Sequence, residues 1–192
     1  AVDAKTATSA EAFGGMEGLV AAAKAEGKLN VIALPPDWAN YGEIIKGFQA
    51  KYPEITVTSD QPDASSADEI ATAERLKGQD GAPDVFDLGA AVALANTDMY
   101  APYKVATWDD IPADLKDANG AWVNDYGGYM SIGYDSAKVP APTSVADLLK
   151  ADYKGKVALN GNPTEAGAAF AGVQMVSIAQ GGTAADLTKG VD

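Results

Sequence analysis

Asp37, Trp38 and Tyr41 place a carboxylate and two large aromatic rings within the stretch LPPDWANYGEII, residues 34 to 45. Such rings stack on planar molecules or hold a cation against their faces, each contact contributing ~0.5 to 2 kcal/mol, and a carboxylate adds charge pairing. That is the chemistry of capture rather than of bond breaking. The chain has no Cys and no His, which removes a thiol nucleophile, every Cys/His zinc site and the commonest general base. Ser131 and Ser136 are hydroxyls without a G-x-S-x-G elbow, and the phosphate-loop pattern G-x-x-x-x-G-K-[ST] is absent. One hydrolytic arrangement survives, a carboxylate pair of Asp37 with Asp87 or Asp125 acting on a glycoside. DQPDASSADE (60 to 69) offers Asp60, Asp63, Asp68 and Glu69, but its spacing misses the EF-hand loop. It reads as a solvated acidic turn, and neither metal nor cofactor is expected.

The elements that must position these groups follow from periodicity. Met16, Leu19, Val20 and Ala23 share one face of a first helix with Gly27 at its C′ position. KLNVIAL (28 to 34) is a strand, Pro35 and Pro36 end it, and Asn40 is placed as N-cap of a helix over 41 to 52. YPEITVTS (52 to 59) supplies strand two, residues 67 to 78 a helix on Ile70, Ala73 and Leu76, and 84 to 88 a short third strand before an Ala-rich helix ending at Asn96. Alternating strands and helices with short turns predict a parallel sheet, whose ligand crevice lies beyond the carboxyl ends of the strands. Loops 35 to 41 and 88 to 91 qualify.

Residues 99 to 122 predict an irregular wrap with one helical turn at 112 to 117. WVNDYGGYMSIGYD (122 to 135) has strand character broken by Gly127 and Gly128, a candidate hinge. A second α/β unit then follows: a short helix in TSVADLLKADY, a strand in KGKVALNG, and a helix opened by Asn162 and Pro163 and closed by Gly181 and Gly182. Residues 1 to 14 are small and polar and read as a mobile segment.

With 14 Lys+Arg against 27 Asp+Glu the formal net charge is -13, which repels phosphate backbones and argues against nucleic acid or an anionic membrane face as partner. No apolar run approaches the ~20 residues of a membrane span. The single Arg, Arg75, lies away from the Ile70 face, so a bidentate Arg clamp for an oxyanion is missing. The balance favours an organic cation or a neutral polar molecule as ligand.

AEGKLNVIAL with the loop after it, FQAKYPEITV, APDVFDLG, YGGYMSIGYD and KGKVALNGNPTEAGAAF together resemble, in that order, the bacterial extracellular solute-binding proteins of ABC importers, most closely the family 1 group with its polyamine and iron members. The resemblance runs from about residue 16 to the end. It implies a periplasmic-binding-protein-like (type II) clamshell that takes a small solute between two lobes and delivers it to the membrane permease subunits. The organisation expected is lobe I over 15 to 126, a hinge crossover at 127 to 135 and a partial lobe II over 136 to 192, which a second chain or a missing fragment would complete. It also implies a non-catalytic receptor working outside the cytoplasm, extracellular or periplasmic, with a lipoprotein-anchored precursor left open. Under it the ligand-binding candidates are Asp37, Trp38 and Tyr41 from loop one, Ala90 from loop three, Tyr126, Tyr129 and Ser131 from the hinge, and Asn162 and Thr164 from lobe two. The alternative is a protein-interaction module that docks through the aromatic loop 37 to 41, with the carboxylate hydrolase behind it.

Overall fold

Val31 and Ile32 are the most apolar positions of the first strand segment and lie at 6% and 1% exposure. The strand they belong to, β1 (Lys28–Ile32), pairs in parallel with β2 (Thr56–Asp60) in the register Lys28↔Thr56 to Ile32↔Asp60. Removing a side chain such as Ile32 from water stabilises by about 1.5 to 3 kcal/mol. The computed structural model describes residues 2 to 191 and divides the chain into two units, Ala1–Tyr126 and Gly127–Asp192.

In the first unit, α1 (Met16–Glu26) ends as its sequence requires, with Gly27 at φ +76° donating its N–H to the Ala23 carbonyl. The parallel β1–β2 crossover is α2 (Tyr41–Lys51), and β2 leads into α3 (Ser66–Leu76). Ser65 and Asp68 close a reciprocal capping box there, satisfying two of the free N–H groups that open a helix. After Gly89 comes α4 (Ala90–Ala95). Residues 99 to 122 form the irregular wrap the sequence predicts, with 3-10 turns at Trp108–Asp110 and Ala113–Leu115. Buried Trp108 is its centre, with the Lys104 and Lys116 ammonium groups 5.7 and 5.0 Å from its ring.

Several expectations change. The strand expected at 84 to 88 is reduced to one parallel bridge, Val31↔Val85. The reason is local: Asn30 receives the Asp84 backbone N–H at its carbonyl, but its own N–H goes to the Asp84 carboxylate, so a side chain takes the place of the next ladder bond. The segment read as mobile carries 3-10 turns at Ala4–Thr6 and Ala10–Phe13, and the Lys104 N–H donates to Thr8 at 2.8 Å. Asn40 stands at the N-cap position of α2, but in a left-handed conformation with no side-chain cap bond.

The second unit is built on α5 (Gly167–Ala179) and α6 (Thr188–Val191), joined by the fully buried Ser177, whose Oγ–H donates to the Asp186 carbonyl at 2.7 Å. Asn162 does not cap α5. Its side chain closes an Asx turn on Thr164, and the helix begins at Gly167. The strands expected in 128 to 135 and 156 to 160 carry no ladder. Neither segment pairs with another strand among the described residues, and Val157 and Leu159 are 54% and 44% exposed. The helix expected in TSVADLLKADY is two 3-10 turns, Val145–Leu149 and Ala151–Tyr153, the first opened by a Ser144–Asp147 capping box.

Candidate functional site

The loop between β1 and α2 is bent tightly by its own backbone. Trp38 N–H donates to the Pro35 carbonyl, Tyr41 N–H to Trp38, and Gly42 N–H to Pro36, at 3.0 to 3.2 Å. Ala33, Ala39 and Asn40 all sit at positive φ, at 56°, 47° and 63°. Non-glycine residues rarely adopt this region, and such strain gathers where a loop is held in one functional shape. Gly42 permits the closure, because a Cβ there would stand 2.6 Å from the Pro36 carbonyl oxygen. Held this way, the Trp38 ring meets Tyr41 at 5.8 Å and Tyr126 edge-on at 5.5 Å between centroids. Trp38 and Tyr126 keep about half their surface open.

Beneath the rings lies a group of carboxylates. The Tyr41 hydroxyl donates a short hydrogen bond to Asp87 Oδ2. Asp87 follows the Val31↔Val85 bridge at the end of the sheet, and its own N–H donates to Glu69 Oε2 at 3.2 Å. Gly89 N–H donates to Ser66 Oγ at 2.9 Å, tying loop 88 to 91 to the start of α3. Asn124 N–H donates to the Leu115 carbonyl, and this fixes the strand-like run that brings Asp125 and Tyr126 alongside. Asp87, Ala90, Asp114, Trp122, Asp125 and Tyr126 are among the walls of a cavity of about 390 Å³.

The electrostatics of the group are one-signed. Glu69 is 1% exposed, and burial, with the Asp87 charge adding to it, pushes its carboxyl up to about 8 against the opposing Asp87 N–H bond. Burial also raises Asp87, reinforced by Asp125 and opposed by the Tyr41 hydrogen bond. Tyr41 is raised far above its usual value by burial and by Asp87, and Tyr126 is pushed up to about 12 by burial with Asp87, Asp125 and Glu69. Among the described residues no ion pair includes Glu69, Asp87 or Asp125, and no three acidic groups converge to hold a metal ion. An arrangement of rings over uncompensated carboxylates can hold a positive charge by cation–π attraction and ion pairing.

Of the residues chosen from sequence, Trp38, Tyr41 and Tyr126 come together, and Ala90 lines the same cavity. Asp37 is exposed and makes no side-chain hydrogen bond among the described residues. The carboxylate that meets the rings is Asp87, which the sequence offers only as half of a hydrolytic pair. Tyr129, Ser131, Asn162 and Thr164 belong to the second unit. Tyr129 is fully exposed, Ser131 lines an apolar cavity of about 480 Å³ with Met130, Tyr134, Tyr153 and Leu159, and Asn162 and Thr164 are engaged with each other. Glu69 was missed. It reads as part of a solvated acidic turn, whereas the face of α3 that turns inward carries Glu69 and Thr72, with Ile70, Ala73 and Leu76 only half-buried. The one available signal is the i, i+3 spacing of Glu69 and Thr72, which gives a face without saying which way it points.

Residues 80 to 189 match the family pattern of the bacterial extracellular solute-binding proteins, more than half of the 192-residue chain. The chain belongs to that family. The match takes in Asp87, Ala90, Asp125 and Tyr126 and most of the second unit, while Trp38, Tyr41 and Glu69 precede it. No curated protein sequence matches the chain. Solute-binding proteins of this kind are in general receptors without catalytic activity, and membership implies a small-molecule ligand, association with an ABC transporter and an extracellular or periplasmic location. Among the described residues no helix is long and apolar enough to cross a membrane.

Proposed function

We propose that this solute-binding protein captures a small polar or cationic solute at the strand-end loops of its first unit, with Trp38, Tyr41 and Tyr126 as the stacking surface and Asp87 and Asp125 as the charged floor. The observation that carries the reading is the Tyr41–Asp87 hydrogen bond under two half-open rings, in a group of carboxylates with no ion-pair partner among the described residues. A carboxylate raised by burial and by a second acid stores unfavourable energy that a bound positive or hydrogen-bond-donating group relieves.

The finer reading follows the family resemblance: a type II clamshell in which the first unit is lobe I, closure of a second lobe commits the solute, and the loaded receptor delivers it to an ABC permease. Tyr129, Ser131, Asn162 and Thr164 are the candidates contributed by the second unit. Asp37 stays a candidate for a charge at the rim of the loop. A precursor anchored as a lipoprotein fits the same role.

A thermal-shift screen against polyamines, quaternary amines, thiamine-like cations, sugars, amino acids, oxyanions and ferric iron, repeated with Trp38→Ala, tests it. One solute class at a hundredfold excess over its Kd should add ~2.7 kcal/mol of stability, and the shift should vanish in the variant. A shift that survives Trp38→Ala unchanged would move the site elsewhere. The half-open faces of Trp38 and Tyr126 supply a second reading, a docking surface for a protein. It takes over if no solute of any class moves the transition.

A further inference from the structure

Glu69 and Asp87 meet beneath the rings, Asp125 stands exposed on the wall of the same cavity as Asp87, and among the described residues none of the three is in an ion pair. From α2 the Tyr41 hydroxyl reaches Asp87, and from α3 Glu69 accepts the Asp87 N–H. The run before Gly127 brings Asp125 and Tyr126. Tyr100 lies within the field of Glu69, and Asp114 lines the cavity. The helix on the remaining side, α4, has the sequence AAVALA and carries no charge. The one hydrogen bond that the Glu69 carboxylate accepts among the described residues comes from a neutral N–H at 3.2 Å, a weak partner for a buried charge. Two neighbouring carboxylates in such surroundings do not both stay ionised, so the empty site keeps a proton within the group, and the Tyr41 hydroxyl favours Asp87 as its charged member.

A bound cation changes that balance, because its charge does for the group what the proton does. Resting on the solute-binding reading above, we propose that the solute is an organic cation seated over Asp87 against the half-open surfaces of Trp38 and Tyr126, and that its charge replaces a proton held between Glu69 and Asp87, which leaves to solvent on capture. Rings recognise a diffuse organic charge, and the acidic groups do not converge as metal ligands would. Glu69 touches no solute in this scheme. It is a positioning residue that stores the proton and sets the charge of Asp87. The consequence is a receptor that grips more firmly as pH rises from 5 to 8, and the raised position of Glu69 at about 8 fits that window.

Isothermal titration of putrescine and of choline into the whole chain, at pH 7 in phosphate and in Tris, reads the proton directly. The two buffers differ in ionisation enthalpy, so release of a proton makes the apparent binding enthalpies diverge. The expected result is divergence for the probe that binds, with up to a tenfold gain in affinity per pH unit between 5 and 8. In Glu69→Gln both the buffer difference and the pH slope should shrink while binding persists. Asp125→Asn, at an exposed position, should lose affinity tenfold or more with the fold intact. Carbon-13 titration of the carboxyls in the ligand-free chain should find one group near pH 8 that is missing from Glu69→Gln. Binding of a cation with equal enthalpy in both buffers would overturn proton exchange and leave the receptor reading standing. Binding of a sugar or an amide in place of both cations would overturn the choice of solute class alone. If no solute of any class bound, both readings would fall together.

Discussion

Val31 and Ile32 in the first unit and Val157 and Leu159 in the second come from two runs that both read as strands, KLNVIAL and KGKVALNG, and meet opposite fates. The first pair is buried within a parallel ladder, and the second is about half exposed on a segment that forms no ladder among the described residues. The difference teaches that apolar, β-branched composition does not make a strand. A partner backbone does, by accepting and donating the ladder bonds in register, and only then does the side-chain pattern bury one face. The first unit finds that partner within a single crossover. The second takes its order from a buried hydroxyl between two helices and from 3-10 turns capped by Ser144 and Asp147.

Truncation should sharpen this contrast most. Ile32→Ala empties a 1% exposed site and should cost about 2 to 4 kcal/mol in urea unfolding, while Val157→Ala should stay within about 0.5 kcal/mol. Similar losses at both positions would mean that the second unit has a core at Val157 after all.

Next in size is the pH dependence of the first unit. Glu69 has its folded value raised from 4.5 to about 8, so the native state holds the proton more tightly than the unfolded chain. The stabilisation is complete below about 4.5 and is lost as pH rises through about 8. Glu69→Gln keeps an acceptor for the Asp87 N–H and should remove this slope. Denaturant unfolding at pH 5 and pH 9 should then show the wild-type chain losing on the order of 2 to 4 kcal/mol relative to the variant. Equal slopes in both chains would mean that Glu69 ionises normally.

Ser177→Ala should cost about 1 to 3 kcal/mol by orphaning the Asp186 carbonyl between α5 and α6. Hydrogen exchange should localise that loss to the second unit. The smallest expected loss is about 1 kcal/mol for Ser65→Ala, which removes one half of the capping box on α3. Because Glu69 lies one turn from that cap, a fall in the pH slope of this variant would tie the helix start to the charged group.

Much of the first unit was legible, because its signals are local. Gly27 ends α1 in the conformation only glycine adopts freely, and Ser65 with Asp68 starts α3, whereas β1 stops at Ile32, where Ala33 turns to positive φ before either proline is reached. The meeting of Trp38 and Tyr41 was legible too, since they lie three positions apart in one loop. The third strand was not legible, because the Asp84 side chain competes for the Asn30 N–H only once the two segments are adjacent. Asn162 looked like a helix cap because the same side chain closes an Asx turn equally well.

What the sequence determined by itself is therefore the inventory and the local grammar: aromatic rings and acids without His or Cys, helices with their ends, and a strand-end loop that carries Trp38 next to Tyr41. Only the tertiary structure decided that Asp87 rather than Asp37 meets Tyr41, that Glu69 turns inward, and that Tyr126 closes against Trp38 from 88 positions away in the chain. The physical reason is that ionisation and ring contact depend on distance and burial in three dimensions. A carboxylate 46 residues from Tyr41 in sequence becomes its hydrogen-bond partner only when β1 and the segment after Ala82 are brought side by side.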